Sequence, residues 1–166
     1  MKEQQRRPDW DEYFLQLAVL VATRATCLRR QVGAVLVKNE RIISTGYNGA
    51  ARGLGHCCEL GCLRTELAIP SGQRYELCRG VHAEQNAIIN AAYYGAATQG
   101  ATLYCTTQPC LICSRMIINA GLIRVVHGGN FQDDLALQFL AEAGIAVEEK
   151  HLDSFTTDYG RIGGEG

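Results

Sequence analysis

Apolar positions recur with helical spacing near the start of the chain. Trp10, Phe14, Leu17, Ala18, Val21 and Ala22 fall on one face, and Asp9 before them can cap the first turn. This pattern predicts a helix from Trp10 to Ala25, with Trp10 and Phe14 as core residues. Met1 to Pro8 carries no such pattern and reads as a loose arm. The period then changes. Val32-Gly-Ala-Val-Leu-Val-Lys38 is a β-branched run, Asn39-Glu40 a turn, and Arg41 to Gly46 a second strand, together a hairpin. Gly46-Tyr47-Asn48-Gly49 follows, and Asn-Gly is a turn dipeptide. A turn there would end a strand and leave the Asn48 amide free for a ligand. The helical period returns from His82 to Tyr94 and stops at Gly95. Ala101 to Thr107 reads as a strand, Cys110 to Ala120 as a helix with Gly121 as its C-cap, and Ile123 to Val126 as a strand. Leu135 to Ala143 reads as a helix ending at Gly144, and Ile145 to Glu149 as a last strand. Arg161 to Gly166 is glycine-rich and reads as a mobile tail.

Strands joined through helices imply parallel pairing, and the opening hairpin adds antiparallel pairing. The simplest architecture is α/β: a five-stranded mixed sheet with helices on both faces, three layers in all. No repeat and no linker interrupts it, so residues 1–166 read as one domain. Ala50 to Arg79 stands apart. It has no periodicity, contains Pro70-Ser71-Gly72, and holds His56, Cys57, Cys58, Cys62 and Cys78. A segment this long in a compact domain is functional or stapled, and its cysteines point to stapling.

Hydrophobic residues make up 47% of the chain and charged residues 20%, which fits an ordinary globular protein. The formal net charge of −1 argues against a surface for nucleic acid polymers. The N-terminus lacks an apolar signal core, and Leu15 to Ala22 is too short to span a bilayer, so no membrane partner is expected. The chain has 8 cysteines. Without a secretory leader, metal binding accounts for them better than disulfides, and the expected compartment is the cytoplasm.

The candidate chemistry lies in Val81-His82-Ala83-Glu84 and Pro109-Cys110-Leu-Ile-Cys113. Cys110 and Cys113 are spaced i, i+3 and share a helix face. Pro109 fits an early helix position. At a helix N-terminus the macrodipole favours thiolates, the form that binds metal. His82 also opens a helical pattern, so two helix N-termini can face one ion beside strand ends. One His and two Cys leave a tetrahedral zinc with an open position for water. Glu84 is the free carboxylate at hand for proton transfer. A structural zinc clip or a redox Cys-x-x-Cys competes with this reading, but a redox motif has no need of His82 and Glu84.

His-x-Glu followed by Pro-Cys-x-x-Cys is the signature of zinc nucleobase deaminases. With Thr26-Cys27, Val32-Gly-Ala-Val35, Ile43-Ser-Thr-Gly-Tyr-Asn-Gly49 and Val81-His-Ala-Glu-Gln-Asn-Ala-Ile88, the chain resembles the deoxycytidylate (dCMP) deaminases of the cytidine-deaminase superfamily. The resemblance covers about residues 13–149. It implies the cytidine-deaminase-like three-layer fold. It also implies hydrolysis of dCMP to dUMP and ammonia, feeding thymidylate synthesis, in a homo-hexamer activated by dCTP and inhibited by dTTP, with Mg²⁺ on the triphosphate. Tyr47 and Asn48 are implied as nucleotide contacts at a subunit boundary, and Asn48, Ala83 and Gln108 as substrate contacts. For the 5′-phosphate, Arg24 at the end of the first helix comes first and Arg115 second. Glu84 would accept a proton from water, pass it to ring N3 and then carry one to the leaving amine. Two alternatives stay open: a zinc deaminase of another cytosine or adenosine substrate, and a non-catalytic zinc-binding nucleotide or DNA-uptake accessory.

A second, structural zinc is also expected. Cys27, Cys57, Cys58, Cys62 and Cys78 lie outside the catalytic motif, and a metal held by Cys27 would tie the first helix to the long segment. In related deaminases with such a site the ligands match Cys27, Cys57 and residues just before His-Ala-Glu, a place Cys78 fills here. Cys62 is preferred to His56 as the fourth ligand, because His56 adjoins Cys57. Cys58 and Cys105 are left as free thiols.

Overall fold

The computed structural model describes residues 7–152. The glycine-rich tail and most of the N-terminal arm lie outside the described residues. Helix α1 spans Trp10–Ala22 and opens on a capping box. Asp9 Oδ1 accepts from the Glu12 N–H at 2.8 Å, and Glu12 Oε2 accepts from the Asp9 N–H at 2.9 Å. The helix stops short of Ala25 for a local reason. The Thr23 hydroxyl donates to Leu20 O at 2.7 Å. The N–H groups of Thr23, Arg24 and Ala25 then each reach back only three residues, which tightens and ends the coil.

Strands β1 (Gly33–Lys38) and β2 (Arg41–Tyr47) form the expected hairpin. Asn39 and Glu40 have φ of 51° and 58°, the left-handed pair of a type I′ turn. The chain does not reverse at Asn48-Gly49. It runs on into β3 (Gly49–Ala50), which pairs with β4 (Gly80–Val81). Asn48 instead clamps the loop before β1. Its Oδ1 accepts from the Val32 N–H at 2.8 Å and its Nδ2 donates to Arg30 O at 2.9 Å.

Between β3 and β4 the aperiodic segment folds into pieces too short to show a period: α2 (Cys57–Leu60), α3 (Leu63–Glu66) and a 3₁₀ turn at Tyr75–Leu77. Its hydrogen-bonded staples come from arginines. Arg29 Nη2 donates to Thr65 Oγ1 at 3.2 Å and to Ile69 O at 2.7 Å, and Arg64 Nη2 donates to Pro70 O at 3.2 Å.

Helix α4 (Ala83–Tyr93), β5 (Thr102–Cys105), α5 (Leu111–Asn119), β6 (Arg124–His127), α6 (Asp134–Glu142) and β7 (Ala146–Glu149) complete the chain. The main sheet has the order β2-β1-β5-β6-β7. Strand β1 is antiparallel to both neighbours, while β5, β6 and β7 are mutually parallel. The helix-linked β2 and β5 therefore run the same way, with β1 between them.

Successive side chains of the central strands alternate between two cores. Ala34, Leu36, Leu103, Cys105 and Val125 pack with Ala87 and Ala91 of α4, Ile117 of α5 and Leu140 of α6. Val35, Val37, Tyr104 and Val126 pack with Phe14, Leu15 and Ala18 of α1. Burying a side chain such as Leu36 or Ile117, each 0% exposed, stabilises the fold by about 1.5–3 kcal/mol. The result is the expected α/β arrangement of a mixed five-stranded sheet with helices on both faces. Among the described residues no helix is long and apolar enough to cross a membrane.

Candidate active site

One glycine and three polar side chains fix helix α4 against β2. A methyl group at Gly46 would overlap Ala83 O and Ala87 N, so only glycine lets the helix come this close. Asn86 Nδ2 donates to Tyr47 O at 2.8 Å and Asn90 Nδ2 to Thr45 O at 2.9 Å, while the Ser44 hydroxyl donates to Ala87 O. Gly33 plays the matching part under α1, where a methyl would overlap Ala18 O. The N-terminus of α4 is thereby set at the end of the sheet, with His82 as its N-cap residue. Gln85 Oε1 accepts from the His82 N–H at 2.9 Å.

Helix α5 starts beside it. Cys110 is its N-cap residue, so Pro109 lies one position before the cap rather than inside the helix. Asp133 holds this start in place. Its Oδ2 accepts from the Leu111 N–H at 2.9 Å, its Oδ1 accepts from the Ala136 N–H at 3.0 Å, and its carbonyl accepts from Gln108 Nε2 at 3.0 Å. One residue thus caps α6, ties down α5 and positions Gln108.

His82 Nδ1 lies 3.5 Å from Cys110 Sγ and 3.3 Å from Cys113 Sγ. The ligand atoms of the three all fall within 4.8 Å of one another. One imidazole and two thiols gathered this closely, at two helix N-termini, are the donor set of a zinc site with an open fourth position. A hydrogen bond from Cys113, aided by His82, holds the Cys110 thiol down to about 4. The same bond and burial push Cys113 up, and its bond to Cys110 raises His82. The cluster therefore shares protons that a bound cation would displace. Glu84 sits on the first turn of α4, 4% exposed, and its burial raises its carboxyl above the ordinary range.

His82, Glu84 and Cys110 border a cavity of about 320 Å³, with Cys113 buried behind them. His82, Ala83, Glu84, Gln108 and Cys110 line it, and so does Asn48, whose amide is already engaged by backbone. Cys27, Cys57, Cys62 and Cys78 line the same cavity. Cys57 is buried, while its neighbour His56 is exposed. Burial and the other three thiols push the Cys57 thiol up, and a hydrogen bond with Thr65 lowers Cys62. The four share a wall, yet among the described residues only His82, Cys110 and Cys113 meet the 4.8 Å criterion. Cys105 is fully buried, which with the nearby Glu84 charge pushes its thiol up, and Cys58 is exposed.

Arg24 and Arg115 are exposed and do not line the cavity, and neither does Tyr47. Arg24 was placed by a helix that ends earlier than its spacing predicts. The arginines that the fold brings to the wall are Arg29, Arg30 and Arg64, together with Tyr75 and Phe131. Sequence reasoning passed over them. The only signals were the Arg29-Arg30 pair just after Cys27 and a lone Arg64 just after Cys62.

The layered sheet thus sets one imidazole and two thiols beside a buried glutamate, a donor set that fits a zinc ion. Residues 8–129 match the model of the cytidine and deoxycytidylate deaminase zinc-binding region, and the chain belongs to that family. It is 40% identical over 144 residues to the deoxycytidylate deaminase of Schizosaccharomyces pombe, covering 86% of this chain and 44% of the yeast protein. It is 44% identical over 125 residues to the deoxycytidylate deaminase of Mycobacterium phage D29, covering 73% of this chain and 95% of the phage protein. The chain thus spans less than half the length of the yeast relative and nearly all of the phage one. Its fold superimposes with a TM-score of 0.73 on the crystal structure of dCMP deaminase from the cyanophage S-TIM5 in complex with dCMP and dUMP. That pair is 31% identical, over 88% of this chain and 100% of the other.

Proposed function

We propose that this protein hydrolyses dCMP to dUMP and ammonia. The observation that carries the reading is the meeting of His82 Nδ1 with the Cys110 and Cys113 thiols, at a cavity that His82, Cys110 and buried Glu84 line. His82, Cys110 and Cys113 would hold a zinc ion. When bound, zinc lowers the pKa of a coordinated water toward about 7. Glu84 accepts a proton from the attacking water and delivers it to N3 of the base. It then carries a second proton to the amino group leaving C4, so water and the amidine become a carbonyl and ammonia. Burial of Glu84 suits this shuttle, because it raises the carboxyl toward working pH. Ala83 and Gln108 line the cavity and would contact the base, and Asn48 clamps Arg30 and Val32 of the loop that also lines it.

The test is direct. Zinc-loaded protein mixed with dCMP should release ammonia, while Glu84→Gln should keep its zinc and lose turnover by about 10²–10⁴-fold. A fully active Glu84→Gln protein would end this reading. A panel of dCMP, dCTP, cytidine, cytosine and a tRNA anticodon stem fixes the substrate.

We further infer a second zinc held by Cys27, Cys57, Cys62 and Cys78. Its support is that the four thiols share one wall and that Cys57 feels the other three. Family likeness also supports a homo-hexamer, activation by dCTP and inhibition by dTTP with Mg²⁺, and a cytoplasmic place in thymidylate supply. A hyperbolic rate law indifferent to both triphosphates would remove the regulation and leave the catalysis.

A further inference from the structure

An N-cap side chain ordinarily accepts from one of the free N–H groups in the first turn of its helix. Cys110 is the N-cap residue of α5, and its side chain makes no capping bond. Its thiol is instead one of the three donors gathered with His82 and Cys113. Sulfur is a weak acceptor, and a thiol given to a metal is not available to the helix. Another residue has to serve the first turn. That residue is Asp133, 22 positions beyond Leu111, whose Oδ2 accepts from the Leu111 N–H at 2.9 Å.

The loop that delivers Asp133 is pinned at its start. It leaves β6 at Gly128, whose N–H donates to Cys105 O at 3.1 Å. A methyl at Gly128 would lie 2.8 Å from Thr106 O, so glycine lets the loop lie against the end of β5, just before Gln108. The Gly129 N–H donates to His127 Nδ1 at 3.2 Å. At the far end Asp133 Oδ1 accepts from the Ala136 N–H at 3.0 Å and caps α6. The Asp133 carbonyl accepts from Gln108 Nε2 at 3.0 Å, and Gln108 is 5% exposed. One residue therefore grips both ends of Gln108-Pro109-Cys110-Leu111, the carbonyl at the first residue and the carboxylate at the last. Between the grips Pro109 has a fixed φ. Gln108 and Cys110 line the cavity and Asp133 does not.

We propose that Asp133 is a positioning residue of the active site, which sets Cys110 Sγ for the metal and Gln108 for the base by gripping the backbone and side chain on either side of Pro109. This rests on the reading of His82, Cys110 and Cys113 as the ligands of a catalytic zinc. The position calls for an acid rather than an amide. A carboxylate offers two acceptor oxygens, one for Leu111 and one for Ala136, whereas a carboxamide offers one. Asparagine caps a helix as well as aspartate does. Asp133→Asn thus keeps the α6 cap and turns an NH₂ group toward the Leu111 N–H. One atom separates the cap of α6 from the grip on α5.

The experiment compares the natural chain with Asp133→Asn, Asp133→Ala and Asp134→Asn. The last removes a neighbouring charge, from a carboxylate that accepts from Gln132 Nε2. Four quantities are read: zinc affinity by chelator competition, the thiolate-to-metal absorption of the cobalt(II)-substituted protein, the melting temperature, and kcat with dCMP. Asp133→Asn should weaken zinc about tenfold, shift the cobalt band and lower kcat about ten- to a hundredfold. Its melting temperature should fall by less than about 5 °C, because α6 keeps its cap. Asp133→Ala should melt lower still, and Asp134→Asn should match the natural chain in all four. Natural zinc affinity, cobalt band and kcat in Asp133→Asn overturn the proposal. So does a natural cobalt band with melting temperature and kcat falling together, which would make Asp133 a structural cap alone. Equal losses in Asp134→Asn overturn it as well, since charge rather than the grip would then be the cause. The two metal readings need no substrate. A natural chain that deaminates nothing ends the dCMP reading, and a weakened zinc with a shifted cobalt band in Asp133→Asn still upholds the grip.

Discussion

Two regions that hold arginines, one beside α1 and one at the cavity, are built differently. On the α1 side, Arg124 is saturated. Its Nη1 and Nη2 donate to Asp11 at 2.8 and 2.7 Å, and its Nε and Nη2 donate to Glu148 at 2.7 and 2.9 Å. The Tyr104 hydroxyl donates to Asp11 Oδ1 at 2.7 Å and closes the network. On the cavity side, Arg30 and Arg64 have an aromatic ring and a carbonyl, with no carboxylate among the described residues. A charge whose partners are all supplied by the chain holds the fold. Arg64 instead keeps a buried Nε without a hydrogen-bond partner among the described residues, and the fold tolerates that cost because burial elsewhere supplies the stability.

The comparison breaks hardest at the metal ligands. Cys113→Ser should drop bound zinc by one equivalent and reduce dCMP turnover to background, since one ligand of three is lost. Cys57→Ser should remove the other zinc and lower the melting temperature. Metal analysis of metal-replete protein with one zinc per natural chain would rule that second ion out.

The next effect uses the two packing glycines. Gly46→Ala and Gly33→Ala each force a methyl into backbone, under α4 and α1 respectively. Each should cost about 3 kcal/mol in denaturant unfolding. They should differ in function. Gly46→Ala moves the helix that carries His82 and Glu84 and should weaken zinc, whereas Gly33→Ala should leave zinc affinity within about twofold. Equal zinc loss in both would show that the two faces are coupled.

Asp11→Asn comes third. The Arg124 guanidinium holds the Asp11 carboxyl down to about 2, below its ordinary 3.8. A depressed carboxyl contributes stability above its unfolded pKa and loses it as pH falls through the folded value. The contribution is about 2 kcal/mol at neutral pH, and it should fade between about pH 4 and pH 2. Asp11→Asn should remove it and flatten that part of the unfolding profile. A mutant with the same acid limb as the natural chain would show that Asp11 does not set it.

Much of this was legible in the sequence because it is local. Strand β1 announces itself as Val32 to Lys38, and the His82 and Cys110 motifs lie at helix starts that their own neighbours specify. What was not legible depends on distance. Arg64 and Tyr75 sit in a segment without period and gain their meaning from His82 through a ring contact. Arg30 meets Phe131 across a hundred positions of chain. Arg24 looked well placed only because nothing in the spacing of α1 shows that the Thr23 hydroxyl will end it. Asn48 reads as a turn residue in isolation, yet its amide is a clamp on a loop that precedes it.

The smallest effect lies in the same α1 region, at its rim. Lys150 Nζ donates to Asp9 Oδ1 at 2.8 Å and Oδ2 at 2.7 Å, as good a geometry as any contact of Arg124. Distance alone would rank the two alike. Exposure separates them, because the Asp9 side chain is 55% exposed against 23% for Asp11. Water already solvates Asp9, and its carboxyl is lowered first by the Glu12 N–H and only then by Lys150. Lys150→Ala should therefore cost about 0.2–1 kcal/mol, at the noise of a denaturant titration, and less at 1 M salt where screening is short-ranged. A loss near that of Asp11→Asn would mean that Lys150 belongs to the closed network, and the boundary between rim and network would move outward to include Asp9.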